Sequence, residues 1–194
     1  MIVGLTGGIG SGKTTVAQLF ETMGCAIYNS DEEAKQLYFH INIKQQVINL
    51  LGKEAYLNDF EINKSFISKK IFSDTSLLHQ LNGIIHPAVN EDFIKFKNKF
   101  SDETLIIKET ALLFETGIYK DLDYSILVTA PLNVKIDRVM KRNSISKEDI
   151  EKRMAAQWSD EKKIPLSNFV IINDNEHALI PQVLQVIQTL KHHA

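Results

Sequence analysis

Residues 7–14 read GGIGSGKT and fit the pattern GxxxxGKT. The apolar run Ile2–Thr6 comes directly before them, and apolar residues at the spacing i, i+3, i+4, i+7 follow from Val16 to Met23. A short apolar run predicts a buried strand, and this spacing predicts an amphipathic helix. The beginning of the chain therefore predicts a strand, a glycine-rich turn and a helix, which is the setting that a phosphate-binding loop requires.

The glycines of this loop explain how it could bind an anion. Four of the six residues from Gly7 to Gly12 are glycines, so the backbone can turn with successive N–H groups facing phosphate at a helix N-terminus. In such a loop Lys13 reaches the β- and γ-phosphates, and Thr14 offers its hydroxyl to Mg²⁺. The residues predicted to bind a nucleotide here are Gly8, Gly10, Ser11, Gly12, Lys13, Thr14 and Thr15.

The composition limits the class of protein. Of the 194 residues, 44% are hydrophobic, and 22 basic residues stand against 24 acidic ones, for a formal charge of -2. This length predicts one domain with a sizeable core, and the balanced charge argues against a nucleic-acid partner. Cys25 is the only cysteine, which excludes an internal disulfide and a multi-cysteine zinc site. We expect a cytoplasmic protein that is neither exported nor membrane-spanning, and that is a monomer or a weak homo-oligomer.

Five short apolar runs predict the strands of a parallel sheet that is covered on both faces. They are Ile2–Thr6, Cys25–Tyr28, Thr104–Ile107, Tyr124–Thr129 and Phe169–Ile172. The gap between the second and third runs is far longer than one crossover connection needs, so we predict a helical insert at about residues 31–100. Within it, one helix is expected to begin behind Asp74 and another at Pro87.

Arginines are few and grouped. Three of the 22 basic residues are arginines, and all three, Arg138, Arg142 and Arg153, lie within 16 consecutive positions. A planar guanidinium can hold phosphate oxygens with two hydrogen bonds, whereas lysine acts more as a point charge. We predict a lid at about residues 138–160 that closes over the phosphates and excludes water. A salt-bridged surface hairpin is the alternative.

The lid segment also carries a helix-start signal. Ser146 and Asp149 resemble a capping box with Asp in place of the usual Glu. They predict a second lid helix, with a hinge near Asn143 and Ser144.

Several separated segments resemble the dephospho-coenzyme A kinases, and the similarity extends over nearly the whole chain. The segments that carry it are Gly4–Ala17, Asn29–Asp31, Leu81–Pro87, Ala111–Glu115, the lid residues Arg138, Arg142 and Arg153–Gln157, and Phe169–Asn173. Two positions depart from the family pattern: Asn29 replaces the first residue of its Asp-Ala-Asp, and Ala111 replaces the proline of its Pro-Leu-Leu-Phe-Glu. The loop alone occurs in many enzymes, so the ordered set makes the resemblance specific.

The resemblance implies a three-layer α/β P-loop nucleoside triphosphate hydrolase fold with a five-stranded parallel sheet, a helical acceptor-binding insert and an arginine lid. It also implies transfer of the γ-phosphoryl group of ATP, with Mg²⁺, to the ribose 3'-hydroxyl of dephospho-coenzyme A, the last step of coenzyme A synthesis. The site residues that it implies are Asp31, Lys13, Arg138 and Arg142 for catalysis, Arg142 and Asn173 for the nucleotide, and Asp31, His86, Leu113, Glu115 and Arg153 for the acceptor.

The residues alone leave alternatives open. Asp31 could accept the proton of an acceptor hydroxyl, but an Asp after a strand is also a common helix N-cap. Glu109 lies where P-loop enzymes place an acid for Mg²⁺-bound water, a role that the family does not generally require. A kinase for another small acceptor, such as a nucleoside monophosphate, and a nucleotide-gated binding protein would share the loop. A GTPase is disfavoured, because Asn63–Phe66 lacks the acid of the guanine motif.

Overall fold

The computed structural model describes residues 1–102, 104–143 and 146–192. By its internal contacts the chain divides into two compact units. The sheet unit contains Met1–Asn29 and the chain from Ser101 onward, and the helical unit contains Ser30–Phe100. The predicted acceptor-binding role of an insert at about residues 31–100 stays a prediction.

The described ranges contain seven strands and nine α-helices. The strands are β1 (Ile2–Thr6), β2 (Ala26–Asn29), β3 (Tyr56–Asn58), β4 (Glu61–Ile62), β5 (Ile106–Glu109), β6 (Tyr124–Thr129) and β7 (Phe169–Ile172). The α-helices are α1 (Lys13–Thr22), α2 (Ser30–Leu37), α3 (Ile41–Leu51), α4 (Lys64–Ser73), α5 (Thr75–Lys97), α6 (Leu132–Asn143), α7 (Lys147–Ala155), α8 (Asp160–Lys163) and α9 (Leu179–His192). Short 3-10 helices lie at Lys53–Ala55, Ile118–Asp121 and Ile164–Leu166.

The sheet unit is built on a five-stranded parallel sheet with the strand order β2-β5-β1-β6-β7, which confirms the predicted fold class. Two of its strands begin later than predicted. The N–H of Cys25 donates to Phe20 at the end of α1, and the N–H of Thr104 donates to Ser101 in a turn. Both residues are thus occupied in local turns, and the strands start at Ala26 and Ile106.

Apolar side chains from β1, β5 and β6 pack with those of α1 and α9 in the core of the sheet unit. Fully buried members of this core are Val3, Leu5, Val16, Phe20, Ile107, Ile126, Val128 and Val183. Because the central strands are buried on both faces, they read as near-continuous apolar runs. This is why their positions could be predicted from the sequence.

The helical unit packs α2, α3 and α4 around the long helix α5. Its core is formed by Val47, Leu51, Ala55, Ile67, Leu81 and Ile85. A short hairpin of β3 and β4, which the sequence analysis did not predict, closes next to this core. Tyr56 anchors the hairpin, since its hydroxyl donates to the Tyr38 carbonyl at 2.7 Å.

The helix that follows Asp74 passes through Pro87 without ending. Asp74 caps it as predicted, accepting hydrogen bonds from the N–H groups of Ser76 and Leu77, but α5 is continuous, so the predicted helix start at Pro87 is wrong. Proline removes one main-chain hydrogen bond and usually kinks or ends a helix. Here Ile85 and Val89 on either side of it pack into one core, and this burial holds both halves in a single helix.

The two helices in the region of the predicted lid, α6 and α7, pack on each other and on the phosphate loop. Ile136 and Val139 of α6 and Ile150 of α7 form a small buried cluster against Ile9. Ser146 caps α7 as predicted, because its hydroxyl accepts the Asp149 N–H at 3.1 Å. Ser144, where the hinge is predicted, lies outside the described residues.

Among residues 1–102, 104–143 and 146–192, no helix is both long enough and apolar enough to cross a membrane.

Replacing Pro87 by alanine is expected to stabilise the protein. Pro87 is exposed in the interior of α5, and the substitution restores a main-chain N–H that can donate within the helix. We expect urea denaturation to give an increase of about 1 kcal/mol in the free energy of unfolding, a fraction of the ~3 kcal/mol difference in intrinsic propensity, because this helix is adapted to proline.

Pro181→Ala is the matched control for this prediction. Pro181 lies in the first turn of α9, where an N–H has no partner within the helix, so the change should be small. An equal gain from both substitutions, or no gain from Pro87→Ala, would contradict the explanation.

Candidate active site

Five chain segments meet at one edge of the sheet. Because all five strands are parallel, their carboxyl ends share an edge, which is where ligands of open α/β sheets bind. The phosphate loop (residues 7–14) follows β1, while Asn29, Glu109 and Thr129 end β2, β5 and β6. Asn173 directly follows β7. This edge therefore gathers the loop and most of the polar residues that contact it.

The phosphate loop turns tightly before α1. The Ser11 N–H donates to the Gly8 carbonyl at 3.0 Å, and the Val16 N–H donates to the Gly12 carbonyl at 3.1 Å. Gly12 has a φ of 90°, a left-handed conformation that favours glycine. The Ser11 side chain is fully buried, and within the described ranges its Oγ has no hydrogen-bond partner. The phosphate loop thus leads into the N-terminus of α1 in a tight turn, which is the arrangement in which main-chain N–H groups bind an anion.

The carboxylate of Glu109 joins β2 to the end of the phosphate loop. Thr14 Oγ1 donates to Glu109 Oε1 at 3.3 Å, and Asn29 Nδ2 donates to Glu109 Oε2 at 3.1 Å. Glu109 is only 3% exposed, so its charge needs such donors. Asn29, which departs from the family pattern, supplies an amide donor that an ionised aspartate could not supply. In the sequence, the signal for this group of contacts is Glu109, an acidic residue at the end of a strand.

Asn173 connects the phosphate loop to α6. Its Nδ2 donates to the Ser11 carbonyl at 2.8 Å, and its N–H donates to the Thr129 carbonyl at 2.8 Å. Arg138 donates from Nη1 to the Asn173 carbonyl at 3.0 Å and from Nη2 to Asn173 Oδ1 at 3.1 Å. Asn173 was predicted to bind the nucleotide and Arg138 to act in catalysis, and the structure brings the two side chains together beside the loop.

The end of the predicted lid segment contacts the other side of the phosphate loop. Gln157 Oε1 accepts a hydrogen bond from the Ile9 N–H at 3.1 Å. The carboxylate of Asp160 accepts hydrogen bonds from the Thr129 hydroxyl and the Lys135 ammonium. These groups line a cavity of about 490 Å³. Gln157, Lys135 and Asp160 were not predicted as site residues, because no local pattern shows which segments their side chains reach.

A buried ion pair fixes α8 to the segment after β5. Glu115 Oε1 lies 2.9 Å from Lys163 Nζ and accepts the Trp158 N–H at 2.8 Å. Lys163 is fully buried. Burial raises the pKa of Glu115, but the ion pair and the Trp158 hydrogen bond outweigh it and hold that pKa below its usual range. The predicted contact of Glu115 with an acceptor stays a prediction.

The remaining predicted site residues lie in different surroundings. Arg142 and Arg153 are exposed on α6 and α7. The Leu113 side chain is fully buried. Asp31, in the first turn of α2, and His86, in α5, are both exposed and belong to the helical unit. Their roles stay predictions.

Comparison with known proteins decides the family. A profile described as dephospho-CoA kinase matches residues 1–178. The chain belongs to the dephospho-CoA kinase family. A dephospho-CoA kinase from Bacteroides fragilis is 39% identical over 189 residues, which cover 97% of this chain and 92% of that protein. One from Porphyromonas gingivalis is 35% identical over 191 residues, with 97% and 94% covered.

A solved structure shares the fold of this dephospho-CoA kinase family member. The Thermus thermophilus protein TT1252 superposes with a TM-score of 0.89 at 28% identity, and 98% of this chain and 97% of that chain are covered. The profile match and the two relatives confirm the predicted family resemblance.

Replacing Glu115 by glutamine should destabilise the protein near neutral pH, because it leaves the Lys163 charge buried without its counter-ion. Breaking such a pair costs about 3 kcal/mol or more. Since the pKa of Glu115 is lowered in the folded state, its stabilisation is present above the ordinary carboxyl pKa of about 4.3 and is lost as the pH falls through the lowered value.

Thermal melting from pH 7 down to about pH 2 checks this prediction, because the stabilisation is lost only below the ordinary carboxyl pKa of about 4.3. The difference in Tm between wild type and Glu115→Gln should be largest near pH 7 and should shrink at the acid end. The control is Glu151→Gln, which removes an exposed pair with Lys147 and should change Tm little. A difference that is constant across the range would contradict the assignment.

Proposed function

We propose that this chain transfers the γ-phosphoryl group of ATP to the ribose 3'-hydroxyl of dephospho-CoA, giving CoA and ADP. The observation that carries the proposal is the family match over residues 1–178, supported by a GxxxxGKT loop at the carboxyl edge of a parallel sheet. Phosphoryl transfer is accelerated mainly by positioning and by stabilising charge on the transferring group. The role of each site residue therefore depends on whether it holds ATP or the acceptor.

On the nucleotide side, Lys13 and the loop amides hold the polyphosphate of ATP. Lys13 is the first residue of α1, so its ammonium adds to the positive end of the helix dipole. Arg142 is an exposed lid side chain that can give two parallel hydrogen bonds to phosphate oxygens. Closure of the lid would exclude water, which otherwise competes with the acceptor for the phosphoryl group.

Mg²⁺ is the metal that we propose for this site, and the residues present fit it. Thr14 is exposed, and its hydroxyl oxygen lies 3.3 Å from a carboxylate oxygen of Glu109. Mg²⁺ takes oxygen ligands and usually keeps several waters beside one or two protein groups and the substrate phosphates. Thr14 would hold the ion, with Glu109 as hydrogen-bond partner of the hydroxyl. The bound ion would neutralise charge on the β- and γ-phosphates.

On the acceptor side, Asp31 is proposed to accept the proton of the 3'-hydroxyl, which is the work of a general base. His86 and Arg153 are proposed to contact the acceptor, and Leu113 would do so through its main chain, because its side chain is fully buried. The contacts of Glu115 with Lys163 favour a role in holding the lid over direct contact with the acceptor. A cytoplasmic location, a monomer or weak homo-oligomer and the absence of a nucleic-acid partner remain proposals from composition.

Substitution of the proposed catalytic residues tests this function. Lys13→Ala should lower ADP release in the presence of dephospho-CoA by about 10³-fold, because it removes a cation from the transferring group. Asp31→Asn should lower kcat by about 10²- to 10⁴-fold, the usual contribution of a general base, with ATP affinity nearly unchanged.

Glu32→Gln is the control for Asp31→Asn, since it removes a neighbouring exposed carboxylate of the same helix and should leave turnover near wild type. Wild-type turnover by Asp31→Asn would remove the base assignment. Faster phosphorylation of AMP than of dephospho-CoA by the wild-type chain would instead favour a nucleoside monophosphate kinase. ATP binding without acceptor-dependent ADP release would favour a nucleotide-gated protein.

Thr14→Val tests the metal assignment separately from turnover. The substitution keeps the shape of the side chain but removes its hydroxyl, so the gain in ATP affinity on adding Mg²⁺, measured by calorimetry without acceptor, should fall about tenfold. Thr22→Val makes the same change at the far end of α1 and should retain the full gain. An undiminished Mg²⁺ effect in Thr14→Val would contradict the assignment.

A further inference from the structure

Arg138 is turned toward the loop that follows β7. Three of its N–H donors go to oxygens of this loop: the carbonyl and the side-chain oxygen of Asn173, and Oδ1 of Asn175 at 2.6 Å. A guanidinium has five donors in a fixed planar fork. When most of that fork is aligned on protein acceptors, the group is poorly placed to act as a mobile clamp on phosphate.

Asn173 links Arg138 to the phosphate loop through hydrogen bonds. It is 9% exposed, and each of its four polar groups has a protein partner, because its N–H bonds to Thr129 and its Nδ2 donates to the Ser11 carbonyl. The amide orientation is therefore fixed: Oδ1 faces Arg138 and Nδ2 faces Ser11. A rotated amide would set Nδ2 against the Arg138 donors and Oδ1 against a carbonyl oxygen.

The contact with the phosphate loop requires close approach. A Cβ atom on Gly12 would overlap Asn173 Nδ2, and Gly12 also has a φ of 90°. The amide therefore packs directly on the main chain of residues 11 and 12. Since Lys13 begins α1 immediately afterwards, a shift of Asn173 would move the turn that aims Lys13 and its neighbouring N–H groups.

The loop that Arg138 contacts is held in place by its own hydrogen bonds. Asp174 Oδ1 accepts the N–H groups of Glu176 and His177, and Oδ2 contacts His177 Nδ1 at 2.7 Å. These main-chain hydrogen bonds, followed by the contact with the His177 ring, hold the pKa of Asp174 well below its usual range. Asn175 has a φ of 74°. A preformed loop gives Arg138 a fixed base from which to orient Asn173.

We propose that Arg138 is a positioning residue that acts on ATP through Asn173, by fixing the turn of the phosphate loop, and that Arg142 provides the direct grip on phosphate. This rests on the proposed function, but its main readout is ATP binding without any acceptor. The acceptors of Arg138 are neutral amide oxygens, so these contacts leave its positive charge uncancelled near the loop, where it also favours the polyphosphate.

Asn173→Asp separates the two contacts of the amide. The aspartate keeps an acceptor for Arg138 but replaces the donor to Ser11 with an oxygen that repels the carbonyl. Calorimetry should show ATP affinity reduced about tenfold or more, with kcat at saturating ATP changed less than about threefold. Arg138→Lys keeps the charge but loses the fork, and it should show the same split.

Arg142→Lys is the contrasting variant, because a direct clamp on the transferring group should lower kcat more than ATP affinity. The double variant Arg138→Lys/Asn173→Asp should bind ATP about as weakly as the weaker single variant, since both changes break one chain of contacts.

Two results would overturn the proposal. One is wild-type ATP affinity in Asn173→Asp, and the other is a fall in kcat with unchanged ATP affinity in Arg138→Lys, which would make Arg138 a direct clamp. If Asn173→Asp does not fold, Asn175→Gly tests the same series of contacts. It keeps the left-handed backbone and removes one acceptor of Arg138. It should weaken ATP binding about two- to threefold, and unchanged binding would count against the proposal.

A wild-type chain that binds ATP but does not phosphorylate dephospho-CoA would overturn the proposed function only. The affinities of the variants for ATP would still decide the role of Arg138.

Discussion

The phosphate loop makes a tight turn between β1 and the N-terminus of α1. Contacts from several parts of the sheet unit hold the loop in this conformation. Gly12 makes the turn in a left-handed conformation, Asn173 holds the Ser11 carbonyl, and Gln157 accepts the Ile9 N–H. A loop that is already fixed loses little conformational freedom when phosphates bind. Its binding energy can therefore be used to orient the group that is transferred.

The predicted lid is joined to the rest of the sheet unit near both of its ends. Arg138 bonds to the loop after β7, while at the other end Trp158 and Lys163 contact Glu115. Because a buried ion pair is specific in geometry and costly to break, the base of the lid should stay in place. We therefore expect closure to involve the end of α6 beyond Arg138, which carries the exposed Arg142, and α7, which carries the exposed Arg153.

The sequence predicted the parts of the structure that depend on local signals. Buried parallel strands are nearly continuous apolar runs, and the glycine pattern locates the phosphate loop before α1. Pro87 was misread because core packing on both sides of it overrides the local tendency to end a helix. The contacts of Glu109 with Asn29 and of Gln157 with Ile9 could not be predicted, since they join residues 80 and 148 positions apart, and a single sequence does not show which distant segments meet.

A crystal structure with a non-hydrolysable ATP analogue and Mg²⁺ tests the central claim most directly. The account predicts phosphate oxygens within hydrogen-bonding distance of the main-chain N–H groups of residues 8–14 and of Lys13 Nζ, with the Asn173 side chain still bound to Ser11. An analogue whose phosphates bind at another place, without contact to residues 8–14, would contradict it.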